Sequence, residues 1–312
     1  MAHLVENMMY VGETPWHGLG IPIPEGKKLS IHEAIAAAGL DWEVEFRHLF
    51  AKDRQGEELG ILDRYTACRK SDNAVLGIVG RDYTPLQNRE AFEWFQPFLT
   101  TGEATIETAG SLKGGSRVWV LARIRAGEMK VGDADEIAHY ILLSNSHDGS
   151  IPVRVGFTPV RVVCNNTLCL AHESEASKLL RVRHTSRLIE NLECIRDIMD
   201  LARKDFYATV EQYRTLMKRK IDMNDLERYV RVVFALPGKG GRELVVNISY
   251  LLEKGRGSEM AGRTCWGAYN AVTEYLNYFR GKTQDNTINS LWYGDSSQVS
   301  RRALDVAIKM AA

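Results

Sequence analysis

Cations and one indole recur through the middle of this chain at spacings suited to holding a phosphate backbone. Lys113, Arg117, Arg123 and Arg125 flank Trp119. Arg154 and Arg161 follow in RVGFTPVRVVCNNTLCLA (154–171), and Arg181, Arg183, His184 and Arg187 close the series in RVRHTSRL. Single-stranded nucleic acid is commonly gripped in this way, by cations that track the backbone while an aromatic ring stacks on a base. Here Trp119 is the expected stacking platform and the others are the expected phosphate ligands. The competing reading is a solvated sheet face whose arginines meet carboxylates of the same chain. Arg154 and Arg161 differ in parity, so they share a strand face only if Pro159 shifts the register.

Other chemistries are weaker. His147, Asp148 and His184 could serve a metal-assisted nucleic-acid hydrolase, but no H-E-x-x-H or paired Cys/His spacing accompanies them, and no metal site is expected. Cys164 lies among valines, where a thiol loses reactivity. RGKTQ (280–284) matches the end of a phosphate-binding loop, yet Leu276 stands where that motif needs glycine. PGKGGRE and KGRGSEMAGR read as loops between helices, with Lys239, Arg242, Arg256 and Arg263 as possible phosphate contacts. No catalytic residue and no cofactor are assigned.

The elements that must position these residues are legible from periodicity. Ser30 and Glu33 have the spacing of a capping box ahead of an alanine-rich helix that Gly39 closes. Trp42, Val44 and Phe46 alternate with charged residues as in a half-buried strand, and residues 61–80 predict two strands joined at Ser71–Asn73. Asn88 is placed to cap a short helix. RVWVLARIR (117–125) puts Val118, Val120, Ala122 and Ile124 on one face and Arg117, Trp119, Leu121, Arg123 and Arg125 on the other. A strand over 139–144 and another through Cys164 follow, the latter interrupted by Pro159 and so an edge or bulged strand. Apolar residues stepping by four and three predict one helix from about Thr185 to Lys220, roughly 50 Å long at 1.5 Å per residue. The expected fold is therefore α+β: an antiparallel β-meander packed by one long helix, a β-β-β-α core. An N-terminal α/β-hairpin region spans 1–110, the core 111–220, and a helical C-terminal region 221–312, as one composite domain.

Composition bounds the function. The 312 residues carry equal numbers of Lys+Arg and Asp+Glu, 40 each, but the signs are segregated. Residues 1–63 carry a net charge of −6, and residues 178–220 one of +5. Local charge determines what a surface attracts, so neutrality of the whole does not exclude an anionic partner. Five cysteines without a C-x-x-C suggest reduced thiols, and no apolar run suits a membrane helix or secretion signal, so a cytoplasmic setting is expected.

Several segments together resemble a known family: PWHGLG, VGRDYTPLQN, ETAGSLKGGSRVWVLARI, SHDGSIPVRVGFTPVRVVCNNTLCLA, RVRHTSRL and WGAYNAVTEY. They are similar to the phage/plasmid-like proteins that carry the domain of unknown function 932. That resemblance covers nearly the whole chain and implies a bacterial mobile element, with no activity to transfer. The order of elements also resembles, at fold level alone, the phage single-strand-annealing recombinases of the RecT and Redβ kind. That likeness implies a ring or filament of identical subunits that anneals single-stranded DNA without a nucleotide cofactor, beside a phage exonuclease or a host single-strand-binding protein. The acidic N-terminal region would then meet a neighbour's basic surface. A nucleic-acid hydrolase and a module that binds a host protein are the alternatives.

Overall fold

The computed structural model describes residues 5–12, 20–93, 95–161, 166–167, 181–182, 198–237, 240–280, 290–291 and 294–312. The chain is α+β, with sheets through its first half and helices through its last third. It divides into two compact units, each drawn from three stretches. The first takes Met1–Arg123, Ile141–Gly156 and Glu173–Met199; the second takes Ile124–Tyr140, Phe157–His172 and Asp200–Ala312.

In the first unit, β1 (Val5–Val11) pairs antiparallel with β6 (Ala104–Leu112) and parallel with β2 (Ile21–Ile23). Helix α1 (Ile31–Ala37) starts as its sequence requires. The Ser30 hydroxyl accepts from the Glu33 N–H, and the Glu33 carboxylate accepts from the Ser30 N–H at 2.9 Å. Gly39, at φ +64°, ends it in the left-handed conformation that favours glycine. A separate three-stranded sheet follows, β3 (Val44–Lys52), β4 (Glu58–Arg69) and β5 (Val75–Gly80), in that order. Only its root is buried, where Val44, Ala67 and Leu76 pack with Trp42. Two short helices, α2 (Asn88–Glu93) and α3 (Gln96–Thr100), lead into β6.

Strands β7 (Arg117–Val131), β8 (Asp135–Ser146) and β9 (Val153–Arg161) follow β6 as sequential neighbours, which is the expected meander. Two of them outrun the expectation. The 117–125 strand continues to Val131, and the 139–144 strand begins at Asp135, the two joined at Gly132 (φ +70°). The outer edge of β9 carries two short partners. β11 (Arg181–Val182) pairs with Val153–Arg154, and β10 (Asn166–Thr167) with Val160–Arg161. Pro159 falls between them, a position compatible with its missing N–H.

In the second unit, α4 (Ile198–Lys218) covers the β7–β8 turn. Phe206, Val210, Tyr213 and Leu216 step along one face of α4 and share a core with Val131 and Ile137. Phe206 stacks on His139 with ring centroids 4.1 Å apart, and Arg214 Nε donates to the Lys130 carbonyl. The expected helix between Thr185 and Asp197 lies outside the described residues. Beyond it come α5 (Met223–Val233), α6 (Arg242–Lys254), the short α7 (Ser258–Ala261), α8 (Cys265–Glu274) with a π-helical turn (Tyr275–Phe279), and α9 (Asp295–Ala311). Every residue of α8 is buried, and the indole N–H of Trp266 donates to the buried carboxylate of Asp135 at 2.8 Å.

Candidate nucleic-acid interface

The structure separates the expected ligands into three groups. The first is internal. Trp119 is 2% exposed, and its ring lies over Gly110, where an added Cβ would come within 2.5 Å of the indole. An indole so placed fills the core and cannot stack on a base, which corrects the platform role. The alternation of β7 was read correctly, but both of its rows are covered in the first unit: Val118, Trp119 and Val120 are all buried. Arg123 is half-buried beside a carboxylate, its guanidinium 3.5 Å from Glu107. That is the competing reading set out above, realised at one of the expected positions.

The second group belongs to the first unit, and its Lys113 and Arg117 reach the surface. Lys113 (φ +54°), Gly114 (+63°) and Gly115 (+86°) form a left-handed turn in which Lys113 is exposed. Gly115 is required by proximity as well as by φ, since a Cβ there would meet the Arg69 guanidinium at 2.8 Å. At the exit of the turn, Arg117 donates to the Ser150 hydroxyl at 2.9 Å and is partly exposed. In the same unit the backbones of Arg154 on β9 and Arg181 on β11 are register partners.

The third group belongs to the second unit or lies beyond description. Arg125 is exposed on β7, and Arg161 stands opposite Asn166. Arg183, His184 and Arg187 lie outside the described residues, as do Cys164, Cys169, Lys239 and residues 281–284 of RGKTQ.

A buried polar centre in the first unit went unread in the sequence. His147, fully buried, places Nε2 3.0 Å from Asn88 Oδ1 and packs edge-on against Trp42. The Asn88 amide in turn donates to the Leu40 carbonyl, so its side chain ties two segments together rather than serving as the expected helix cap. Arg69 lies over the Trp42 ring, donates to Glu6 at 2.6 Å and to the Gly114 carbonyl at 2.9 Å, and Ser111 donates to the same Glu6 carboxylate. Tyr83 donates to the Ser146 carbonyl, and burial pushes its hydroxyl well above the ordinary tyrosine pKa, assisted by the Asp148 charge. The signal for this centre was present. VGRDYTPLQN and SHDGS are polar segments between strands, and polar groups that become buried must find partners. Their partners were each other.

This centre is a clamp that ties the end of β8 to the segment entering α2. The hydrolase reading needs His147 at a substrate, but its ring is enclosed, while His184 lies outside the described residues. No cluster of His, Cys, Asp or Glu that could hold a metal occurs among the described residues. The loop between α6 and α8 is likewise internally satisfied. The Glu274 carboxylate accepts from the Arg256 N–H, and the Arg256 guanidinium lies over Tyr278. Among the described residues no helix is long and apolar enough to cross a membrane.

Comparison with known proteins gives one match. The model of Domain of unknown function (DUF932) matches residues 75–292, which contain β5 to β11, the His147–Asn88 contact and the Lys113–Arg117 turn. No curated protein and no solved structure matches the chain.

Proposed function

The chain belongs to the DUF932 family, and from that premise we propose that it binds single-stranded DNA by its phosphates, as the oligomeric, cytoplasmic strand-annealing protein of a phage or plasmid that uses no nucleotide cofactor. The observation that carries the reading is the cationic turn Lys113–Arg117. Lys113 is exposed in the left-handed conformation beside exposed Gly114, with open space where a Gly114 Cβ would sit, and Arg117 is partly exposed at its exit. Arg154 and Arg181, register partners on β9 and β11 of the same unit, are the further phosphate ligands of this reading. With Trp119 in the core, recognition is by phosphate alone, so affinity should not depend on base sequence.

The test is anisotropy of a labelled oligonucleotide titrated with the protein at several salt concentrations. Log affinity is expected to fall with log salt at a slope near −0.7 per phosphate neutralised. Arg154→Gln with Arg181→Gln should weaken binding equally for all sequences and flatten the slope by about 1.4, two phosphates' worth. A mixing assay with complementary strands then reads annealing. Absence of binding at about 50 mM salt, or binding indifferent to salt, overturns the proposal.

A further inference from the structure

The three-stranded sheet does not end where its core ends. The register of β3 and β4 runs Val44↔Arg69 to His48↔Tyr65, then slips so that Leu49 faces Ile61. Leu62, Asp63 and Arg64 are thereby looped out of the β3 pairing, with Asp63 at φ +60° and Leu62 87% exposed. β5 pairs with β4 only from Arg64 to Cys68. Beyond that point β3 and β4 form a two-stranded ribbon, closed at a turn where Asp53 accepts from the N–H groups of Gln55 and Glu57. Apart from half-buried Leu49, every residue from Arg47 to Lys52 and from Glu58 to Arg64 is exposed.

The ribbon has two unlike faces. Opposed residues share a face and faces alternate along each strand. Leu49 with Ile61 and Ala51 with Leu59 make one face wholly apolar. Phe50 with Gly60 and Lys52 with Glu58 make the other, the phenyl ring lying along Gly60. A free two-stranded ribbon is marginal in water, and a uniform apolar face on it calls for a cover.

We propose that this ribbon is the self-association surface of the protein, its Leu49, Ala51, Leu59 and Ile61 face packing against the same face of a second copy. Charge argues for that occupant. Between Arg47 and Arg64 the bases Arg47, Lys52, Arg54 and Arg64 balance the acids Asp53, Glu57, Glu58 and Asp63. Such a surface selects neither a basic nor an acidic partner. It does suit a two-fold contact, which must be complementary to itself. Both signs occur at the tip (Lys52, Asp53, Arg54, Glu57, Glu58) and at the root (Asp63, Arg64), so an antiparallel pair of ribbons sets each sign near its opposite. The head-to-tail attraction expected from the acidic N-terminal region has less to draw on. Glu6 is spent on Arg69, Glu43 on Lys70, Glu45 on Arg47 and Glu33 on Lys27. The ribbon also precedes the family-matched residues 75–292.

The inference rests on the oligomeric part of the proposed function, and its test separates the two. The mass of the full chain is measured by light scattering over a concentration series, for the natural protein and for Leu59→Asp with Ile61→Asp. The natural protein should associate, and the variant should be monomeric, with a dissociation constant raised about a hundredfold or more because two carboxylates from each copy would have to be buried unpaired. Its circular dichroism should be unchanged, and its intrinsic affinity for a short oligonucleotide should stay within about twofold, since phosphate binding lies elsewhere. Should that variant fail to fold, Leu59→Lys decides by the same mass series. A natural protein that stays monomeric, or a folded variant that still associates, overturns the inference. Loss of oligonucleotide binding with assembly intact would instead overturn the phosphate-binding reading alone.

Discussion

Strand β7 and the β3–β4 ribbon begin from the same sequence pattern and end in opposite surroundings. Each alternates, and each offers an aromatic residue on the row that periodicity assigns away from its apolar neighbours: Trp119 in one, Phe50 in the other. Trp119 lies in the core, whereas Phe50 is 56% exposed. Alternation reports which side chains share a face. It carries no information on whether that face meets solvent, because exposure depends on what the rest of the chain lays over it. Over β7, neighbouring strands and the β1–β6 pair close around the indole. Nothing described lies over the ribbon.

The comparison breaks if matched substitutions in the two regions have matched effects. Trp119→Ala should cost about 3–5 kcal/mol, the range for deleting a large buried aromatic, whereas Leu59→Ala should stay within about 0.5 kcal/mol in the monomer. Urea unfolding at low protein concentration reads both. A mild Trp119→Ala would mean that the indole is not the core residue described here, and would reopen its role as a base platform.

A finer comparison uses one methyl group. At Gly110 an added Cβ would sit 2.5 Å from the Asn7 carbonyl oxygen and from the Trp119 ring, and 2.6 Å from Met8. Backbone oxygen cannot yield as a flexible side-chain end can, so Gly110→Ala should cost about 1–3 kcal/mol. At Gly60 the nearest atom is on the Phe50 ring at 3.8 Å, an ordinary contact. Gly60→Ala should be neutral or stabilise by up to about 1 kcal/mol, because it restricts the unfolded chain without strain in the folded one. Opposite signs for the same chemical change would show that packing, and not glycine's intrinsic strand propensity, sets the difference.

Much of the fold was legible because local rules sufficed. The Ser30–Glu33 box, the left-handed Gly39, the turn at Ser71–Asn73 and the apolar stripe of α4 all depend on residues within a few positions of one another. The candidate site was legible only in part. The alternation of β7 sets Arg117, Arg123 and Arg125 in one row, but Trp119 in that row is covered and Glu107 reaches Arg123 from another strand. The pairing of Arg154 with Arg181 follows from a two-residue strand too short to show periodicity. The His147 clamp joins residues more than fifty positions apart, and no spacing within either segment encodes that partner. The ribbon's looped-out Leu62–Arg64 segment is a similar omission. Alternation across residues 58–69 gives no sign that the register slips there.

The smallest effect concerns ion pairs, and it tests whether the two regions differ in electrostatics as they do in packing. Arg123 and Glu107 retain 30% and 28% of their side-chain exposure on the covered sheet, whereas Arg47 and Glu45 retain 45% and 35% at the ribbon's root. Partial burial lowers the local dielectric around the first pair, but its 3.5 Å separation is long. The second pair is closer, and the Glu45 hydrogen bond raises the Arg47 pKa, but water surrounds it. Double-mutant cycles to Gln should therefore give about 0.5–1 kcal/mol for Arg123–Glu107 and a smaller coupling for Arg47–Glu45. Repeating both at about 1 M salt, where the Debye length shrinks to about 3 Å, should remove most of the ribbon coupling and leave more of the sheet coupling. If the ribbon pair instead proves the more salt-resistant, water is already excluded from the root of the ribbon in the protein alone, and the freestanding description of β3–β4 would have to be given up.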